Sequence, residues 1–263
     1  MGQSILTVDA FADSAYSGNP AAVCVLESQR DADWMQQIAS EMNLSETCFI
    51  ERSGAEFGLR WFTPAMEVDL CGHGTLASAH VLWEEGHLAT DQPARFQTRS
   101  GLLTAVRTEG GIEMDFPVTP PEPVEIAPEV VEVAGCQPRY VGRTARDLLV
   151  VLPDATQVRN LQPDVKQIAA LPSLGVIITA ASDDPEFDFI SRYFAPKAGI
   201  DEDPVCGSAH CTLAPYWQAK LGKDSLRAYQ ASARGGVVTM RVSDDRVALG
   251  GRAVTVLRGE LVA

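Results

Sequence analysis

Apolar residues alternate with polar ones, or follow one another in short runs rich in β-branched side chains, through most of the first half of the chain. Such runs predict β-strands. In the first half they are residues 4–9, 21–26, 47–51, 57–62, 94–98, 102–108 and 112–116. Two segments show helical spacing instead, residues 33–42 and 72–85. The second is largely apolar up to Gly86, which predicts a buried helix with a glycine stop.

An internal repeat of long period carries this pattern into the second half. Four blocks recur in the same order at offsets that drift from 130 to 135 residues. QIA at 37–39 recurs at 167–169, RWFTP at 60–64 as RYFAP at 192–196, CGH at 71–73 as CGS at 206–208, and GLLT at 101–104 as GVVT at 236–239. Collinear blocks of this kind indicate two copies of one structural unit.

Many strands with few helices predict an α+β unit in which a curved sheet wraps around its apolar helix. Residues 117–123, PVTPPEP, contain four prolines in seven residues and are typical of a linker. We therefore expect an N-terminal repeat domain over 1–117 and a C-terminal repeat domain over 124–263. Terminal strands that cross over between the domains are compatible with this division.

Composition narrows the class of protein. With 263 residues, 46% of them apolar and 21% charged, the chain is typical of globular proteins. A formal net charge of −14 argues against nucleic acid or an anionic membrane as partner, because both require a basic surface. This net charge is compatible with a small anionic substrate, which needs only a few local hydrogen-bond donors. No secretion signal and no membrane-length apolar run is found, so we expect a cytoplasmic protein with six reduced cysteines.

The two Cys-Gly segments are the first candidates for chemistry. Each opens a predicted helix, Cys71-Gly72 in the first copy and Cys206-Gly207 in the second. Unpaired N–H groups at a helix start bind anions, and glycine lets a ligand approach the backbone. A thiol at such a position is expected to have a lowered pKa. The alternative is that both cysteines are small buried fillers.

Glu46, in the segment Asn43–Thr47, is the candidate general base. At an offset of 130 its counterpart is Val176, inside an apolar strand. An acid at a position whose counterpart belongs to the core is expected to be partly desolvated. The alternative is an ordinary exposed glutamate beside a turn.

Two further patterns are weak. Residues 72–77, GHGTLA, fit the dinucleotide-binding pattern G-x-G-x-x-G/A, but the second copy lacks that spacing, so no cofactor is expected. The cysteines and histidines near the helix starts form no C-x-x-C pair, so no metal is expected. They are Cys71, His73, Cys206, His210 and Cys211.

Taken together, six segments resemble the PhzF-like proteins of phenazine biosynthesis, within the wider diaminopimelate epimerase-like fold. They are Val8–Phe11, Ser17–Ala21, Asn43–Thr47, Arg60–Pro64, Asp69–Thr75 and Asp201–His210. The resemblance implies two pseudo-symmetric domains, each a half-barrel of mainly antiparallel strands around a central helix, with the active site between them. It also implies a homodimer that needs no cofactor.

The resemblance assigns a role to several positions. Glu46 corresponds to the catalytic glutamate, which in the best-understood member moves a proton between two carbons of a dihydro-hydroxyanthranilate. The accompanying polar groups correspond to His73, Asp203 and Ser208. The substrate-binding positions correspond to Asn19, Gly72, Gly74 and Gly207.

One departure keeps a second hypothesis open. PhzF enzymes do not depend on two thiols, whereas racemases and epimerases of this fold place one cysteine in each half as opposed acid and base. This chain has Cys71 and Cys206 as well as Glu46. The residues thus predict a Glu46-centred isomerase of a small carboxylate. A two-thiol racemase and a non-catalytic metabolite-binding protein are the alternatives.

Overall fold

The computed structural model describes residues 2–54 and 56–262. They divide into two compact units. The first unit extends to Asp115 and resumes at Gly250, and the second is Phe116–Leu249. None of the helices in the described part of the chain is long and apolar enough to cross a membrane.

Strands dominate both units. In chain order they are β1 (Gln3–Ala10), β2 (Asn19–Leu26), β3 (Glu46–Ser53), β4 (Glu56–Phe62), β5 (Glu67–Val68), β6 (Ala94–Thr98), β7 (Gly101–Thr108), β8 (Gly111–Pro117), β9 (Glu122–Pro123), β10 (Tyr140–Arg143), β11 (Asp147–Val151), β12 (Gly175–Ala181), β13 (Phe189–Ala195), β14 (Ile200–Asp203), β15 (Ser225–Gln230), β16 (Gly236–Ser243), β17 (Arg246–Gly251) and β18 (Ala253–Leu261). The helices are α1 (Ala32–Met42), α2 (Gly72–Glu84), α3 (Pro128–Ala134), α4 (Ala155–Asn160), α5 (Val165–Ala170) and α6 (Gly207–Leu221).

The buried helix of the first unit is α2. Residues 73–79 and 81–83 of α2 are buried, because the helix carries apolar or small side chains on all of its faces. Cys71 is the N-cap residue of this helix, and its Sγ accepts a hydrogen bond from the Gly74 amide. In the second unit α6 is the corresponding helix, and it is buried continuously over residues 209–214.

Strand register confirms the repeat. In the first unit Trp61 of β4 pairs with Val68 of β5, and in the second Tyr193 of β13 pairs with Asp203 of β14. The parallel contact between β4 and β6 recurs in the same way between β13 and β15. The repeated block RWFTP/RYFAP, on β4 and β13, therefore has equivalent strand neighbours in its own unit.

The register also corrects one expectation. Phe62 pairs with Thr47, and its counterpart Phe194 pairs with Val176, so Val176 corresponds to Thr47. The counterpart of Glu46 is thus Gly175, and the prediction of Val176 was wrong by one residue. Short sequence matches do not define strand register, and a slip of one residue exchanges the two faces of a strand.

The C-terminal strand belongs to the first unit. β18 pairs antiparallel with β1, with Leu6 opposite Arg258. The expected bounds, 1–117 and 124–263, assigned this segment by sequence position and left open a crossover of terminal strands. Sequence position follows the linker prolines, whereas the pairing of β1 with β18 joins residues from opposite ends of the chain.

Candidate active site

Glu46 and His73 form a buried polar pair in the first unit. Glu46 is the first residue of β3 and is 7% exposed, and His73 lies in the first turn of α2 and is 5% exposed. His73 Nε2 lies 2.9 Å from Glu46 Oε2. Despite this short distance, Oε2 has no hydrogen-bond partner of good angular geometry. The expectation that Glu46 is desolvated is therefore confirmed, and one of its oxygens retains lone-pair capacity.

Asn19 orients the histidine ring. Its side-chain nitrogen lies 3.1 Å from His73 Nδ1, and an amide nitrogen can only donate. Nδ1 must then accept, so this hydrogen-bond network assigns the ring proton to Nε2, which faces Glu46. The neutral imidazole satisfies this arrangement, whereas a second proton on Nδ1 would oppose the Asn19 donor.

Cys71 completes the cluster. Its Sγ lies 3.5 Å from His73 Nδ1 and 3.9 Å from Nε2, and it accepts from the Gly74 amide at 3.2 Å. Gly74 itself is enclosed, since an added Cβ would lie 2.8 Å from Trp61 and 3.0 Å from Cys71 Sγ. Close packing alone therefore accounts for glycine at position 74.

The second unit presents a different set of groups at the start of α6. Cys206 Sγ lies 3.2 Å from Ser208 Oγ. The Cys206 amide donates to Gln230 Oε1 at 3.0 Å, and Gln230 Nε2 donates to the Asp203 carbonyl at 2.7 Å. The buried Gln230 thus ties the end of β14 to the helix start.

Burial decides the protonation of Cys206. Desolvation raises the pKa of this thiol well above its usual value, and the nearby Asp203 raises it further. The expectation of a lowered pKa was therefore wrong for Cys206. A helix dipole contributes up to about 2 kcal/mol, and the cost of burying a charge exceeds that gain.

Sequence reasoning missed a second buried acid. Asp147 is the first residue of β11, is 4% exposed, and accepts a hydrogen bond from the Tyr193 hydroxyl at 3.1 Å. Arg146 Nη2 donates to that hydroxyl at 3.2 Å. Burial raises the pKa of the Asp147 carboxyl, and the charge of Asp147 in turn contributes to the raised pKa of Cys206.

Only the register of the paired strands indicates that Asp147 occupies a position equivalent to the site in the first unit. Asp147 pairs with Gly175 across a parallel strand pair, as Ala21 pairs with Glu46 in the first unit. The same rung therefore carries an acid in both units, on opposite members of the strand pair. The correct repeat alignment would have shown this acid, whereas no local motif marks it.

Each unit thus gathers part of the expected set. The first holds Asn19, Glu46, Cys71, Gly72, His73 and Gly74. The second holds Asp203, Cys206, Gly207 and Ser208.

Comparison with known proteins identifies the family to which the whole chain is similar. A family model for phenazine biosynthesis-like proteins, PhzC-PhzF, matches residues 8–259. A protein of Halalkalibacterium halodurans named an uncharacterized isomerase is 51% identical over 100% of this chain and 99% of its own length. The human phenazine biosynthesis-like domain-containing protein is 41% identical over 98% of this chain and 99% of its own.

Solved structures confirm the predicted α+β fold class. A PhzF-family protein of Enterococcus faecalis superimposes with a TM-score of 0.96 at 44% identity, covering 100% of both chains. A hydroxyproline epimerase of Agrobacterium vitis, 11% identical, has a TM-score of 0.64 over 98% of this chain and 92% of its own, which shows a shared fold. The chain belongs to the PhzC-PhzF family of phenazine biosynthesis-like proteins.

Proposed function

We propose that this protein is a cofactor-independent isomerase of a small carboxylate, in which Glu46 removes a proton from one carbon and returns it to another. The observation that carries the proposal is the buried Glu46 carboxylate, which has one oxygen without an aligned hydrogen bond beside His73 Nε2. A buried carboxylate oxygen with lone-pair capacity is placed to accept a proton from a bound substrate.

This step conserves protons and electrons without a co-reactant. The electrons of the broken C–H bond delocalise towards the substrate carboxylate while Glu46 holds the proton. Glu46 then delivers a proton, either the original one or one exchanged with water, to a second carbon, so no electron or proton is lost. His73 holds its Nε2 proton towards Glu46 and, through Asn19, keeps one tautomer throughout.

Carboxylate binding is the second part of the proposal. The Gly72 amide, at the first position of α2, lacks an intrahelical acceptor and precedes His73, whereas the Gly74 amide already donates to Cys71 Sγ. Such donors stabilise charge that develops in the transition state. By family resemblance, we assign the same binding role to Gly207 and Ser208 of α6, and the orientation of the substrate or a proton relay to Asp203.

The names of several relatives support this reaction class. Proteins 51% and 46% identical to this chain, from Halalkalibacterium halodurans and Pseudomonas aeruginosa, are called uncharacterized isomerases. The family resemblance further implies a cytoplasmic homodimer, and light scattering on the purified protein tests the dimer.

A two-thiol racemase is the second candidate. It is favoured by one observation, that Cys71 and Cys206 occupy corresponding N-cap positions of α2 and α6. Burial opposes it, since it raises the pKa of the Cys206 thiol.

A deuterium-incorporation screen tests these alternatives. Amino, hydroxy and cyclohexadiene carboxylates are incubated in deuterated water with the wild type, Glu46→Gln and the double variant Cys71→Ser/Cys206→Ser. Exchange lost only in Glu46→Gln supports the isomerase. Loss with the thiols, together with stereoinversion, establishes the racemase. Exchange of no substrate by the wild type, with binding of one, makes it a metabolite-binding protein.

A further inference from the structure

The donor atoms of Glu46, Cys71 and His73 lie within 4.8 Å of one another, and all three residues are buried. A carboxylate oxygen, a sulfur and an imidazole nitrogen are the three ligand types that zinc accepts in proteins. We propose that this cluster binds one zinc-like divalent ion and that the bound ion inhibits the protein. Only the inhibition depends on the proposed isomerase function, because the ion would occupy the carboxylate that moves the proton.

Shifts of about 1 Å or less bring the three donors to tetrahedral spacing, since they lie within 4.8 Å of one another. Bonds of about 2.0–2.3 Å in a tetrahedral site place neighbouring donors roughly 3.3–3.8 Å apart. His73 Nε2 is 2.9 Å from Glu46 Oε2 and 3.9 Å from Cys71 Sγ, so both distances lie near that range. Three protein ligands leave a fourth position open for water or for a substrate group.

The second observation that points to a ligand is the state of Glu46. Its Oε2 is buried and lacks an aligned hydrogen bond, so a lone pair points into the cluster without an aligned donor. Buried polar groups of this kind are costly unless something satisfies them. A cation coordinated by Oε2 removes that cost.

The proton balance predicts one proton released per ion. Cys71 must lose its thiol proton to become a ligand, whereas Glu46 is already a carboxylate. His73 stays neutral, because the proton on Nε2 moves to Nδ1 as the metal takes Nε2. Rotation of the Asn19 amide then presents its oxygen to the Nδ1 proton, a hydrogen bond typical of metal-bound histidine. The bound cluster has no net charge, which suits its burial.

The second unit supplies a matched control within the same chain. The counterparts of Cys71, His73 and Glu46 are Cys206, Ser208 and Gly175, which keep the thiol but lack the imidazole and the carboxylate at those positions. Across residues 2–54 and 56–262, no other three-donor group of this kind was found. The same helix start is therefore expected to bind zinc in one unit and not in the other.

Sequence spacing could not show this site, and the expectation of no metal rested on spacing. Cys71 and His73 are separated by a single residue, but Glu46 lies 25 positions earlier and reaches them only through the fold. Magnesium and calcium prefer sets of oxygen ligands, so neither is expected to bind here.

Cobalt(II) is the first probe, because tetrahedral thiolate coordination produces a charge-transfer band that water-bound cobalt lacks. Tag-free wild type and Cys206→Ser are expected to show this band at one ion per chain, and Cys71→Ser is expected to lose it. Zinc titrated by calorimetry should bind both band-forming proteins alike. Binding to Cys71→Ser should be at least about 100-fold weaker, since losing a ligand costs more than losing its supporting hydrogen bond.

Several results overturn the site. They are no charge-transfer band in the wild type, an unchanged band in Cys71→Ser, or a band lost in Cys206→Ser instead. Circular dichroism and thermal unfolding show whether each variant is folded, and Cys71→Ala provides a second substitution if Cys71→Ser is not. Magnesium in place of zinc should give no binding heat.

Inhibition is measured separately from binding. If a substrate undergoes deuterium exchange, stoichiometric zinc should suppress that exchange and a chelator should restore it. Zinc bound at Cys71 with exchange unaffected would overturn the inhibition alone. A wild type that exchanges no substrate would overturn the proposed function, while the cobalt band would still decide the metal site.

Discussion

The starts of α2 and α6 share one backbone plan but differ in their chemistry. Each helix follows a Cys-Gly pair and is buried. Around Cys71 lie a carboxylate and an imidazole in direct contact, whereas around Cys206 the acid is held by a phenol and the second position of the helix is serine. The two copies share the frame, and a few substitutions place the carboxylate–imidazole pair at only one of the two helix starts.

The buried acid lies on opposite strands of the equivalent pair in the two units, and side-chain packing accounts for this difference. An added Cβ at Gly175 would lie 2.3 Å from the Tyr193 hydroxyl, so that ring occupies the space beside the rung. In the first unit the counterpart of Tyr193 is Trp61, which has no hydroxyl to offer an acid on the neighbouring strand. A glutamate at position 46 is therefore compatible with Trp61 in the first unit, whereas Tyr193 leaves room only for glycine at position 175 in the second.

The largest expected difference between the two regions concerns the acids. Glu46→Gln should lower substrate proton exchange by about 10²- to 10⁴-fold, the usual contribution of a general acid–base group. Asp147→Asn, the matched change in the second unit, should lower it by less than about tenfold because Tyr193 already engages that carboxyl. Mass spectrometry of the deuterated product measures both. Equal losses would show that the second acid also transfers protons.

The second contrast is in pH dependence. His210 and its counterpart Thr75 both donate a hydrogen bond to the carbonyl of the cysteine four residues earlier, at 2.7 Å and 2.6 Å. Burial lowers the pKa of His210 to about 4, from an ordinary value near 6.5. Because the unfolded chain binds this proton first, stability is full above about pH 6.5 and falls as the pH drops towards 4. The loss should reach about 3 kcal/mol.

Urea unfolding between pH 7 and pH 4 measures this loss. His210→Gln keeps a donor for the carbonyl and removes the titration, so its stability should depend less on pH by about that amount. Thr75→Ser is the control in the first unit and should keep the wild-type slope. A His210→Gln slope equal to that of the wild type would contradict the assignment.

The third effect is smaller and tests the tautomer of His73. Asn19→Ala removes the donor to Nδ1, and exchange should fall about tenfold, as expected for one buried hydrogen bond. Asn19→Asp offers an acceptor instead, which favours the proton on Nδ1, and should reduce exchange further. An Asn19→Asp variant more active than Asn19→Ala would show that the assigned tautomer is wrong.

The smallest effect is expected from the thiols. Under the isomerase hypothesis, Cys71→Ser/Cys206→Ser should retain exchange to within about tenfold, because neither sulfur transfers the proton. The rate of alkylation at pH 7 adds a direct comparison. Cys206 should react slowly, since burial raises the pKa of its thiol. Rapid alkylation of Cys206 would favour the racemase.

Local patterns in the sequence predicted much of the frame correctly. Apolar periodicity placed α1 and α2 to within about a residue at each end, and Asp31, directly before α1, accepts a hydrogen bond from the Trp34 amide. The repeat and the Cys-Gly helix starts were visible for the same reason, since each depends on a few adjacent residues. These features determined the fold class and the family.

Only the tertiary structure decided the chemistry within that frame. It set the register that pairs Asp147 with Gly175, the tautomer of His73 beside Glu46, and the raised pKa of Cys206. Each of these depends on neighbours that are distant in sequence and on exclusion from water. A linear pattern records which groups a segment carries, but hydrogen-bond partners and desolvation arise only when distant segments pack together.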